Sequence, residues 1–340
     1  MSLTAKSDRI EYELRQVSKE LNVCRTELEN YISSNNLTLL PNGNISGQTA
    51  QLIFDFYVRQ DNRPAFKLHK NTNSTEEFDF ETKGKKICIS RKDVLSFLSD
   101  IPDESVDLIV TDPAYSGMNQ MLKLGRGKII GKYSEKGDGQ KWFDEFHDTE
   151  QNYNIFLKEC YRILKKDRHI YIMFDSFSLL SLAPLIRKVF DVKNIIVWDK
   201  LNIGLGHYFR RRHEFIVFAS KGKRPINSKS FPDIWRIKRI TQSKYPTQKP
   251  VEIFEMMIAA SAENDFTVAD PFLGSGSSAI ASIKRNCNFI GCDISLASIQ
   301  ASANRIRNFI NSGSDVLQPV SLVEDDSTRR ALDNGKLKQK

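Results

Sequence analysis

From Lys86 to Asn311 short apolar runs alternate with amphipathic stretches, and this alternation narrows the possible folds more than any other property of the chain. Runs at 87–90, 106–111, 169–174, 194–198, 214–219, 266–270 and 289–293 have the length and the β-branched and aromatic content of strands. Stretches at 91–99, 153–164, 179–190, 251–262, 277–285 and 296–311 carry apolar residues at helical spacing. Strands alternating with helices predict a doubly wound α/β domain around a mostly parallel sheet, over residues 86–312.

The flanks read differently. Ile10, Leu14, Val17, Leu21, Cys24, Leu28 and Tyr31 repeat at spacings of four and three behind an Asp8/Glu11 capping pattern, which predicts a helix over 8–31. Both an amphipathic helix packed on its own domain and a homodimer contact fit that stripe. A second helical run covers 47–59, so 1–85 is expected to be an N-terminal helical segment serving recognition or dimerisation. Residues 313–340 are polar and are expected to form a loosely held tail.

Two strand-ending motifs carry chemistry. In FTVADPFLGSGSS a strand ends at Asp270 and a glycine turn leads into a helix of small residues. Such a turn presents backbone N–H groups and a helix N-terminus to a polar ligand. Ala279 stands where a dinucleotide fingerprint has its third glycine, and no Gly-Lys-Ser/Thr follows to make a P-loop. Seventeen residues beyond Gly276 the next strand ends at Asp293, where a carboxylate meets a ribose diol. In SVDLIVTDPAYSG an apolar strand runs directly into Asp112, Pro113, Ala114 and Tyr115. This groups a carboxylate, a carbonyl freed from the ladder, and an aromatic face. Two acceptors on the N–H bonds of an exocyclic amine draw its nitrogen towards tetrahedral geometry, and the ring stacks on a base lifted out of a duplex.

These residues resemble the S-adenosylmethionine-dependent amino-methyltransferases of DNA, which act on adenine N6 or cytosine N4. That family's motifs are Asp/Asn/Ser-Pro-Pro-Tyr/Phe/Trp and Phe-x-Gly-x-Gly. Here the first precedes the second, an order that resembles the beta group. The resemblance spans about 86–311 and implies a Rossmann-like methyltransferase fold. Asp112, Pro113, Ala114 and Tyr115 would be catalytic, with Ala114 in place of the usual second proline. Asp270, Phe272, Gly274, Gly276 and Asp293 would hold S-adenosyl-L-methionine, and Thr247 and Lys249 of YPTQKP would hold its methionine carboxylate. The Arg212-His213-Glu214 strand start also resembles a core segment of the family.

The resemblance further implies double-stranded DNA as substrate, base flipping, adenine in preference to cytosine because Asp112 opens the motif, and a cognate restriction endonuclease acting on the same site. The alternatives are cytosine N4 methylation and a DNA-binding protein of the same fold without catalysis. Lysine and arginine outnumber aspartate and glutamate by 50 to 42, a net charge of +8 that suits a polyanion. The glycine-rich stretch 117–142 offers Lys123, Arg126, Lys128 and Lys132 as a lid over phosphates. Arg210, Arg211 and Arg212 form a second basic cluster. A short target-recognition region, 221–244, offers Arg236, Lys238 and Arg239 beside Trp235.

His207 and His213 lack partners at ligand spacing, so no metal is expected. No run of eighteen apolar residues would cross a bilayer, and the N-terminus has no signal-peptide centre, so a cytoplasmic protein is expected.

Overall fold

The computed structural model describes residues 11–13, 17, 25–35, 37, 39–41, 44–54, 76–113, 150–204, 209–241, 245 and 248–334. The chain forms two compact units, 1–71 and 72–340.

In the first unit β1 (Glu11–Glu13) pairs antiparallel with β2 (Asn44–Ser46), and two helices, α1 (Arg25–Ser34) and α2 (Gly47–Phe54), accompany them. Val17, Leu28 and Ile32 pack with Ile45, Ala50 and Ile53 into a small core. The helix expected over 8–31 is interrupted at its start: Glu11–Glu13 hydrogen-bonds to a neighbouring strand, while Val17 is helical and α1 covers Arg25–Ser34. Backbone pairing at its start overrides the capping pattern, and among the described residues of the heptad stripe Val17 and Leu28 are buried in that core, with Tyr31 packed against it.

The second unit holds a nine-stranded sheet in the order β3-β4-β11-β10-β5-β6-β8-β7-β9. Its strands are β3 (Glu77–Thr82), β4 (Lys85–Arg91), β5 (Val106–Thr111), β6 (Leu164–Phe174), β7 (Asp191–Asp199), β8 (His213–Lys221), β9 (Ile234–Arg236), β10 (Thr267–Asp270) and β11 (Asn288–Asp293). Pairing is parallel from β4 through β11, β10 and β5 to β6, while β8 runs antiparallel to both β6 and β7. The doubly wound, mostly parallel, Rossmann-like sheet is thus what the strand and helix alternation requires.

Both faces are covered. Within β5, Leu108 and Val110 point into one core and Ile109 into the other, the two-residue period of a strand buried on both sides. Helices α6 (Val251–Ser261), α7 (Ser277–Lys284), α8 (Leu296–Ser312) and α9 (Asp326–Asn334) line the first core. Helices α3 (Val94–Asp100), α4 (Glu150–Ile163) and α5 (Ser176–Val189) line the second. Cap chemistry sets their starts: Asp93 accepts from the N–H groups of Leu95 and Ser96, and Ser295 accepts from Ser298 N–H.

Three expected boundaries move. Residues 77–82 are not part of a helical N-terminal segment but add β3 to the sheet edge. Their acidic residues disguise the alternation, in which Phe78 and Phe80 face the core while Glu77, Asp79 and Glu81 face solvent. The expected tail carries α9, with Thr328, Ala331 and Leu332 buried, and an isolated bridge ties Val323 to Ile237. In the proposed recognition region Trp235 is buried, its indole N–H donating to Pro232 O at 2.8 Å, so it builds the sheet edge and is not presented to a groove. The lid at 117–142 lies outside the described residues.

Central packing predicts the cost of truncation. Ile109 is fully buried, and Ile109→Ala should lower unfolding free energy by about 2–5 kcal/mol. A shifted urea midpoint at unchanged m-value is the expected result, and a midpoint equal to wild type would contradict this packing.

Candidate active site at the carboxyl edge of the sheet

Strands β10 and β5 are parallel neighbours, so their carboxyl ends lie side by side. From β10 the chain passes through α7 to β11 on one flank, whereas from β5 it passes through α4 to β6 on the other. Where consecutive crossovers diverge in this way a crevice opens beyond the strand ends, which is where open α/β sheets bind ligands.

The β10 side of the crevice is a braced turn. Leu273 N–H donates to Cys292 O at 2.8 Å and Gly276 N–H to Leu273 O at 3.0 Å. Gly274 N–H donates to Asp293 Oδ2 at 2.9 Å, and Ser302 Oγ donates to Gly274 O at 2.7 Å. Gly276, the N-cap of α7, has a φ of 78°, and a Cβ there would lie 3.1 Å from Ser302 Cβ, so glycine meets both a backbone and a space requirement.

Two residues expected at a cofactor also support this turn. Asp270 is buried beneath it, accepting from Phe272 N–H at 3.0 Å and Ser278 Oγ at 2.5 Å, and burial pushes its carboxyl up to about 7. The Phe272 ring meets Phe156 of α4 edge-on, with centroids 5.6 Å apart.

A second brace was not legible as a motif. Arg305 on α8 is almost fully buried. Its guanidinium forks onto Asp315 at 2.9 and 2.6 Å and donates to Ser275 O at 2.9 Å and Ser277 Oγ at 3.0 Å. The signal available in sequence was an arginine on the face that also carries Ile299, Ser302 and Ile306, because a buried cation needs partners.

The β5 side presents Asp112 and the buried Pro113. Proline has no N–H to extend the ladder, so pairing stops here and the carboxylate stands at the edge. Lys249 Nζ hydrogen-bonds to Asp112 Oδ2 and lies 3.7 Å from Glu214 Oε2, and Glu214 Oε1 accepts from Lys200 Nζ at 3.0 Å. The backbone of Lys249 is held in turn by Ser277 Oγ, 2.7 Å from its carbonyl oxygen. Burial raises the Asp112 carboxyl, and Glu214 raises it further while the Lys249 ammonium opposes both. For Lys249, burial alone would lower the ammonium, but the two carboxylates hold it above its ordinary value.

Asp293, one strand beyond the turn, accepts from Gly274 N–H through Oδ2 and from Ser295 N–H at 2.8 Å through Oδ1. Nearby, Tyr245 of the YPTQKP segment hydrogen-bonds through its hydroxyl with Ser298 Oγ at 2.8 Å. The structure therefore brings Asp112, Pro113, Lys249, Gly274, Gly276 and Asp293 to one crevice. It also adds Glu214 and Lys200 to the charged group beside Asp112.

Because β7 is antiparallel to β8 and β8 to β6, the connection from Asp199 to His213 emerges at this same edge. Arg212 forks onto Asp199 at 2.6 and 2.6 Å, and Arg211 reaches Asp175 at 3.5 Å, just past the end of β6. Arg236 pairs in register with Asp199, which brings exposed Arg236, Lys238 and Arg239 alongside Arg210, Arg211 and Arg212. Ala114, Tyr115, Lys123, Arg126, Lys128, Lys132 and Thr247 lie outside the described residues. Among the described residues no group of three or more histidine, cysteine or acidic side chains could hold a metal ion, and no helix is long and apolar enough to cross a membrane.

A family model described as N6_N4_Mtase, DNA methylase, matches residues 106–304, more than half of the chain. The type II methyltransferase M2.MboI of Moraxella bovis is 28% identical over 247 residues, covering 66% of this chain and 89% of its own. The DNA adenine methyltransferase YhdJ of Escherichia coli K12 is 26% identical over 252 residues, covering 63% and 80%. Among solved structures, the cytosine-N4-specific PvuII DNA methyltransferase aligns with a TM-score of 0.49 at 16% identity, covering 72% of this chain and 92% of its own.

The charges around Asp112 make opposed predictions for its titration, followed by carbon-13 NMR of the side-chain carboxyl. Lys249→Met removes the opposing cation and should move the Asp112 midpoint to higher pH. Glu214→Gln removes a like charge and should move it to lower pH. Shifts of the same sign in both variants would contradict this arrangement.

Proposed function

Because the chain belongs to the N6_N4_Mtase family of DNA methylases, we propose that it transfers a methyl group from S-adenosyl-L-methionine to adenine N6 in double-stranded DNA, with the base everted from the helix. The observation carrying this reading is the side-by-side emergence of Asp112-Pro113 and the Gly274–Gly276 turn from adjacent parallel strands. When bound, the cofactor supplies the electrophilic methyl group on its sulfonium.

The residues present suit that cofactor. Each Asp293 oxygen already accepts one backbone N–H and retains a second lone pair for one hydroxyl of a ribose diol. The left-handed glycine turn at the start of α7 keeps side chains off the approach to the helix N-terminus. Lys249, expected with Thr247 at the methionine carboxylate, pairs with Asp112, which supports a share for it in setting the charge of that carboxylate.

In the reaction Asp112 accepts one N–H of the target amine and the Pro113 carbonyl accepts the other, which localises the nitrogen lone pair. As the nitrogen–methyl bond forms, the surplus amine proton passes to an Asp112 carboxylate oxygen, whose affinity for it is raised by burial. Tyr115 stacks on the everted base. The chief contributions are positioning and electrostatics, with no covalent enzyme intermediate.

Arg210, Arg211, Arg212, Arg236, Lys238 and Arg239 face the phosphate backbone, joined by the basic residues of 117–142. Adenine is preferred because aspartate opens the catalytic motif, and the relative named as a DNA adenine methyltransferase supports that choice. The type II name of M2.MboI supports pairing with a nuclease of the same site.

Labelled methyl transfer from S-adenosyl-L-methionine to unmethylated duplex DNA, followed by nucleoside analysis, tests the reading. Label should appear in N6-methyladenine, and Asp112→Ala should slow it by at least about 100-fold. Label in N4-methylcytosine would overturn the base assignment. No label with cofactor binding intact would overturn methyl transfer and leave a DNA-binding protein of this fold.

A further inference from the structure

The connection between β7 and β8 holds an aromatic ring where no packing accounts for it. Phe209 has a relative exposure of 105%, so its ring touches nothing that shields it from water. Single exposed apolar residues are common on protein surfaces, so exposure alone assigns nothing. What distinguishes Phe209 is the scaffold that presents it and the edge on which it stands.

The base of this connection is fastened in several places. Lys200 N–H donates to Arg212 O at 2.8 Å, and Gly204 N–H donates to Arg211 O at 2.8 Å. Arg210 Nε donates back to Gly204 O at 2.8 Å, and Arg212 is locked onto Asp199. A Cβ on Gly204 would lie 2.8 Å from Arg211 O, so this close approach admits only glycine. Next to the fastened Arg210–Arg212 segment, and with Ile203 also half-exposed on the other arm, Phe209 stands out into solvent.

The described part of this connection is coupled in space to the candidate chemistry. Its ends, Asp199 and His213, lie at the edge where β5 delivers Asp112, and Arg211 meets Asp175 just past the end of β6, the strand beside β5. Five residues after Phe209, Glu214 pairs with Lys249, which pairs with Asp112. Three consecutive arginines follow the ring. An apolar ring flanked by cations on an active-site rim suits a polyanion whose interior is a stack of flat bases: the cations meet phosphates while the ring enters the stack.

The geometry points to Phe209 as the wedge that enters duplex DNA and fills the gap left by the everted base, an inference that rests on the methyl-transfer reading above. Base eversion costs the stacking and pairing of the target, and a ring occupying the vacated space recovers part of that stacking. Phe209 then acts on eversion and not on the transfer step.

The test compares single-turnover methylation, at saturating enzyme, of two duplexes carrying the site identified from methylated genomic DNA. In one the target base is paired; in the other it faces an abasic position, so that little pairing opposes eversion. Phe209→Ala should slow the paired duplex by about tenfold or more, the order expected for losing one base-stacking contact. The deficit should shrink several-fold on the abasic duplex, and Phe209→Trp should restore most of the rate on paired DNA. Equal rates for Phe209→Ala and wild type on paired DNA would overturn the inference. So would an equal deficit on both duplexes, which would mark a contact to the backbone or a structural role. Failure of the wild-type protein to methylate either duplex would sink the methyl-transfer reading itself, which the Phe209 variants alone cannot do.

Discussion

The parallel pairing of β10 with β5 is the constraint on which the rest of the site depends. These two strands are far apart in sequence, and the chain leaves their carboxyl ends in opposite directions, towards β11 on one flank and β6 on the other. No loop bridges directly between them at that edge, so their ends face a shared crevice. A glycine turn from one and an aspartate-proline end from the other then become neighbours without either sequence changing. Had the order of strands been different, both motifs would remain intact and the crevice would not assemble.

Around that crevice the charged side chains form a connected arrangement. Arg305 and Asp315 lie buried under the glycine turn, Ser277 passes the brace to the Lys249 carbonyl, and the Lys249 ammonium reaches Asp112 and Glu214. The buried cations Arg305 and Lys249 each have a carboxylate partner, as the cost of desolvating an isolated ion requires. The arrangement fixes the glycine turn and, through the same serine, the backbone of the lysine whose ammonium pairs with Asp112.

The core strands and helices were legible because burial on both faces leaves uninterrupted apolar runs, as in β5, where Val106, Leu108, Ile109 and Val110 are all fully buried. The two motifs were legible because proline and glycine impose local geometry whatever surrounds them. What was not legible is carried by residues whose role depends on tertiary partners. The strand Glu77–Thr82 reads as an acidic spacer until Phe78 and Phe80 are seen against the core. The partnership of Arg305 with Asp315, and of Lys249 with Asp112 across 137 positions, has no periodicity to announce it. At the N-terminus the heptad spacing fails at its start, where Glu11–Glu13 pairs with Asn44–Ser46, and holds over Arg25–Ser34, where Leu28 and Tyr31 pack in the small core.

A crystal structure of the protein grown with S-adenosyl-L-homocysteine tests the central claim most directly, because it locates the cofactor relative to both strands at once. The account predicts ribose hydroxyls within hydrogen-bond reach of Asp293, the ligand lying over the Gly274–Gly276 turn, and its sulfur facing Asp112. A ligand held away from Asp293, or one whose sulfur points away from the end of β5, would contradict it.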